Sequence, residues 1–102
     1  MTTEQSIGFV DQIPKGEGRT FKLGELKIAV FHTRAGEVFA CQAQCPHRDG
    51  PLSDGLLGAD KVVCPLHDRV FELRTGRGIG HDCCVQIFPA RLAEDGTVLI
   101  TA

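Results

Sequence analysis

The sequence predicts an all-β chain built from small antiparallel sheets, and three observations predict it. Apolar or alternating segments recur at residues 9–13, 19–23, 26–32, 38–43, 62–64, 70–73, 85–92 and 97–100, lengths at which strands rather than helices run. Turn-forming residues fall between them, at Gly16 and Gly18, Gly24, Ala35-Gly36, Thr75-Gly76 and Asp95-Gly96. No segment carries a long apolar stripe at helical spacing.

Taken in order, segment 9–13 ends before the Gly16/Gly18 turn, 19–23 and 26–32 flank Gly24, and 38–43 follows Ala35-Gly36. The stretch 47–60 is the one weak helical candidate, and Gly50-Pro51, Gly55 and Gly58 argue against it. Segments 62–64 and 70–73 stand on either side of a short Cys/His motif. The last two, 85–92 and 97–100, flank Asp95-Gly96, which is a strong hairpin signal.

At 102 residues the chain fits one small domain, residues 1–102, with no room for a second catalytic one. Apolar residues make up 42% of it but never run for the length of a membrane span, and the N-terminus lacks a charged-then-apolar targeting pattern. A cytoplasmic location and no membrane partner are therefore expected. Eleven basic against 13 acidic residues leave a net charge of -2 without a Lys/Arg cluster, which argues against nucleic acid. Five cysteines, an odd number, suit a reducing compartment better than a disulfide scaffold.

Chemistry concentrates in Cys45-Pro46-His47 and Cys64-Pro65-Leu66-His67, with sixteen residues between His47 and Cys64. Two soft thiolates and two imidazoles in this C-x-H…C-x-x-H order suit an iron–sulfur site, each half supplying one ligand of each kind. Structural zinc also accepts two Cys and two His, although zinc fingers usually pair like with like. A zinc-stabilised binding module thus remains the alternative until the metal is analysed.

On these paired motifs the chain resembles the Rieske [2Fe–2S] family. The resemblance implies a cluster held by Cys45 and Cys64 on one iron and His47 and His67 on the other, able to carry one electron. Neutral imidazoles in place of two thiolates lower the negative charge that an added electron meets. The family fold it implies is a small antiparallel β sandwich with an inserted cluster-binding subdomain, here about 44–76. Relative to the high-potential branch, Asp49 and Leu66 stand where bridged cysteines would, and Arg69 and Phe71 where hydroxyl donors to sulfur would. A low-potential, ferredoxin-like protein is implied.

Around the motifs, Pro46 and Pro65 stiffen the ligand loops. Leu52, Leu66 and Phe71 are candidates for an apolar lid over the cluster, with core the alternative for each and the favoured one for Phe71. His32, beside Phe31, is expected at an edge or surface. His81-Asp82-Cys83-Cys84 offers a second soft-ligand cluster, but adjacent Cα atoms about 3.8 Å apart would strain a Cys83–Cys84 bridge. These thiols and Cys41 are read as small buried hydrophobes.

Within the low-potential group, the runs Cys45-Pro46-His47-Arg48-Asp49-Gly50-Pro51-Leu52-Ser53-Asp54-Gly55, Val63-Cys64-Pro65-Leu66-His67-Asp68 and Gly80-His81-Asp82-Cys83-Cys84-Val85-Gln86-Ile87-Phe88-Pro89-Ala90 look like the small subunit of assimilatory NAD(P)H-dependent nitrite reductase. That likeness implies a siroheme-bearing large subunit as redox partner. Ferredoxin components of aromatic-ring dioxygenase systems share the size and ligands, and would imply a ferredoxin reductase and an oxygenase instead. With no flavin or nicotinamide motif, this chain must exchange electrons across a protein surface.

Overall fold

The computed structural model describes residues 4–46, 50–66 and 68–101. Eleven strands among them form three antiparallel sheets. The first contains β1 (Glu4–Phe9), β11 (Thr97–Thr101) and β10 (Ala90–Leu92), in that order. The second runs β2 (Glu17–Leu23), β3 (Leu26–His32), β4 (Val38–Gln42) and β9 (Ile87–Phe88). The third is a meander of β5 (Leu56–Leu57), β6 (Lys61–Val63), β7 (Val70–Glu72) and β8 (Gly78–Ile79).

Strand β3 explains how the layers stack. Successive side chains point to opposite faces, and in β3 both faces are buried: Ile28, Val30, Ala29 and Phe31 have no exposed surface. Ile28 and Val30, with Val38 and Ala40 of β4, pack against Val98, Ile100, Phe88 and Ile13. Ala29, Phe31 and Cys41 turn the other way, onto Leu52, Val62, Phe71, Leu73 and Val85. The second sheet is thus the shared wall of two cores, and the thiols of Cys45 and Cys64 belong to the second core.

The expected segments lie close to observed strands, with four departures. The segment read at 9–13 is a 3-10 turn at Val10–Gln12, and the strand precedes it as β1. Its first three residues, Glu4, Gln5 and Ser6, are exposed on an edge, so no apolar alternation announced it. The segment at 85–92 divides at Pro89: β9 pairs with β4, whereas β10 pairs with β11. Proline cannot donate to a ladder, and its carbonyl instead accepts the Thr101 N–H at 2.9 Å as the chain changes sheets. Strands β5 and β8 have two residues each, too short for a period to show.

Between 50 and 60 no α-helix forms; a 3-10 turn at Leu52–Asp54 leads into β5. The Asp95-Gly96 hairpin joins β10 to β11, with the Asp95 carboxylate accepting the Thr97 N–H at 3.0 Å. The Thr97 side chain, and after it that backbone bond, hold the Asp95 carboxyl below the usual carboxylate range.

Candidate metal centre

Cys45 lies three residues beyond the end of β4, and Cys64 directly follows β6. Both loops close in the same way. The Cys45 N–H donates to the Gly50 carbonyl at 2.8 Å, and the Cys64 N–H donates to the Arg69 carbonyl at 2.7 Å. In each case the acceptor lies five positions on, so each cysteine stands at the base of a short, closed loop that begins just past a strand end. A second pairing backs each closure: Leu52 N–H to Ala43 carbonyl at 2.9 Å for the first loop, Asp68 N–H to Cys64 carbonyl at 3.2 Å for the second. Asp68 takes its turn at φ +54°, an unfavourable region for a side chain that Asp tolerates better than most.

The two loops touch. A Cβ built on Gly50 would meet the Leu66 side chain at 3.0 Å and the Cys64 Sγ at 3.1 Å, so the missing side chain lets one loop settle against the other. Both cysteines are 1% exposed. Soft thiols at the bases of adjoining loops, in a water-poor core, form a donor set that fits the sulfur side of an iron–sulfur cluster. His47 and His67 lie outside the described residues, as do Arg48 and Asp49. Among the described residues no three His, Cys, Asp or Glu side chains converge.

Of the lid candidates, Leu52 and Phe71 have no exposed surface and share the core of the two thiols. Leu66 is different: it remains 53% exposed while resting on Gly50. Cys41 faces the same core from β4, and burial pushes its thiol up to about 12. Cys83 is partly buried and Cys84 exposed, and the two form no disulfide.

His32 is not at the surface. It is 7% exposed, and its Nδ1 lies 2.7 Å from the Ile13 carbonyl. From Ile28 to His32 β3 is buried on both faces, so this end of the strand does not open to solvent in the way a two-sided reading expects. Sequence reasoning also missed Gly50 and the carbonyls of Gly50 and Arg69. A backbone acceptor leaves no mark in a sequence; the Gly50-Pro51 pair is legible only as a turn.

The sequence profile of the Rieske [2Fe–2S] domain matches residues 3–91. The biphenyl dioxygenase ferredoxin subunit of Pseudomonas sp. (strain KKS102) is 37% identical over 94 residues, covering 89% of this chain and 84% of that protein. Nitrite reductase [NAD(P)H] of Emericella nidulans is 36% identical over 100 residues, covering 88% of this chain and 9% of that protein. In fold the chain is similar to a protein from Mycobacterium tuberculosis provisionally described as an NADH-dependent nitrite reductase small subunit. The TM-score is 0.92 at 21% identity, covering 100% of this chain and 96% of that one.

Proposed function

We propose, from the premise that this chain belongs to the Rieske [2Fe–2S] domain family, that it is a one-electron carrier without a catalytic site of its own. In this reading Cys45 and Cys64 hold one iron of the cluster and His47 and His67 the other. The cluster-binding subdomain spans about 44–76 within a single domain of 1–102. When bound, the cluster supplies reversible one-electron chemistry.

The observation that carries this reading is the matched closure of the two loops, Cys45 N–H to Gly50 and Cys64 N–H to Arg69. It stations two thiols at adjoining loop bases, and both tips carry the expected imidazoles in sequence. The chain's own residues then have three tasks. The backbone closures fix the thiols, Leu52 and Phe71 keep water from their inner side, and the exposed Leu66 beside Gly50 offers an apolar contact for a partner.

The partner we favour is the siroheme-bearing large subunit of a cytoplasmic NAD(P)H-dependent nitrite reductase. Support comes from the three sequence runs around the ligands and from 36% identity to the Emericella nidulans enzyme. A specific observation favours a second reading, the ferredoxin component of an aromatic-ring dioxygenase: the biphenyl dioxygenase ferredoxin subunit matches along 84% of its own length. Among the described residues no helix is long and apolar enough to cross a membrane.

Stopped-flow oxidation of the reduced protein separates these readings. Rapid electron transfer to a siroheme reductase subunit encoded beside it, with none to a ring-hydroxylating oxygenase, is the expected result. The reverse pattern would replace the favoured partner with the second one.

A further inference from the structure

The half-buried ring of His81 meets four neighbours, Val70, Phe71, Gly78 and Cys83. Its Nδ1 accepts the Cys83 N–H at 3.2 Å. A ring nitrogen that accepts carries no proton, so the other nitrogen, Nε2, bears it and donates to the Val70 carbonyl at 3.0 Å. The ring meets Phe71 edge-on, with centroids 5.0 Å apart and planes at 81°. Below it, a Cβ built on Gly78 would fall 2.2 Å from His81 Cε1 and 2.3 Å from the Cys83 carbonyl oxygen, so the imidazole occupies the space that a side chain at 78 would need.

These contacts join the turn after β8 to the strand that leaves the second cysteine loop. Val70 follows Arg69, whose carbonyl closes that loop on the Cys64 N–H. Phe71, the ring's aromatic neighbour, is fully buried in the core that holds both thiols. We propose that His81 is a positioning residue for the loop 64–69: as the neutral tautomer protonated on Nε2, it braces β7 from behind and keeps the Cys64 loop in its closed form.

This inference rests on the cluster reading above, because the braced loop is the one that carries Cys64 and His67. Its consequence is kinetic. The brace opposes loop opening, and a net hydrogen bond of about 1 kcal/mol corresponds to roughly a fivefold change in the open population. Loss of the brace therefore speeds cluster loss without preventing cluster assembly.

The test uses the cluster-loaded full chain and the variants His81→Leu and His81→Gln, since glutamine retains a donor for the Val70 carbonyl. Both variants are expected to bind iron as the parent does. His81→Leu is expected to release iron to a chelator about fivefold faster and to broaden the electron paramagnetic resonance lines of the reduced protein. His81→Gln is expected to restore most of the parent rate and line width. Long-range proton–nitrogen correlation on the unsubstituted protein should place the His81 proton on Nε2, a readout independent of how either variant folds.

Parent-like release from His81→Leu, equal rates in the two variants, or a proton on Nδ1 would each overturn the inference. A parent protein that binds zinc or no metal would refute the cluster reading instead, and the tautomer measurement would still decide the arrangement of His81.

Discussion

Cys41, Cys45 and Cys64 line one core, yet only two of them have ligand roles in the proposed centre, and the third offers a clean electrostatic test. Burial pushes the Cys41 thiol up to about 12 from an ordinary 9.0. The folded protein therefore keeps this proton at a pH where the unfolded chain begins to lose it. Stability from this difference is whole below about pH 9 and is lost as pH rises toward 12, by about 1 kcal/mol between pH 9 and pH 10. Urea unfolding across that interval should show this alkaline loss in the parent and not in Cys41→Ala; equal slopes would mean that the thiol titrates normally.

Ligand assignment is tested at the same scale. His47→Ala and His67→Ala are each expected to lose the cluster or hold it far more weakly, whereas His32→Ala should keep it, measured as iron per chain. The proposed assignment rests on the pairing of unlike ligands in Cys45-Pro46-His47 and Cys64-Pro65-Leu66-His67. What makes His32 illegible as a buried residue is its strand: a position beside Phe31 looks like the polar face of a half-buried strand, and β3 has no polar face at its centre.

At the scale of elements, the strands with strong apolar patterns are legible and the rest are set by partners distant in sequence. β3 coincides with its expected span. β1 is a polar edge strand recruited by β11, and β8 is a two-residue strand recruited by β7; pairing partners, not local sequence, define both. Pro89 hides a change of sheet inside what reads as one segment.

The third sheet gives a prediction in which magnitudes decide. Arg74 reaches Glu37 at 3.2 Å and Asp60 at 3.4 Å, and its guanidinium lies 5.1 Å from the Phe39 ring centroid. These contacts bridge the second and third sheets, but the Arg74 side chain is 55% exposed, and such pairs contribute up to about 1 kcal/mol. Phe71 has no exposed surface, and its removal costs about 3–5 kcal/mol. Urea unfolding should therefore find Phe71→Ala severely destabilised and Arg74→Ala nearly unchanged; a comparable loss in both would mean that the ion pairs, rather than the core, hold the third sheet.

At the scale of the whole molecule, the proposed carrier role depends on electron exchange between the cluster and a partner protein. The resemblance implies that Arg69 and Phe71 replace hydroxyl donors to sulfur, and on that reading we expect a midpoint near the low end of the Rieske range, about -150 mV. Protein-film voltammetry checks this, and a value well above zero would point to backbone donors in place of side chains. Transient redox contacts are small and guided by charge. Reversing Arg48 and Arg69 together to Glu should slow partner reduction at low salt far more than it shifts the potential, and an unchanged rate would move the docking face away from the ligand tips.

The carrier role, the potential and the docking face all depend on the paired Cys/His loops holding a two-iron cluster. Iron and acid-labile sulfide analysis of the purified protein, read with its visible spectrum, tests it most directly. Two irons and two sulfides per chain with charge-transfer colour are the predicted result, and stoichiometric zinc in a colourless protein would contradict it.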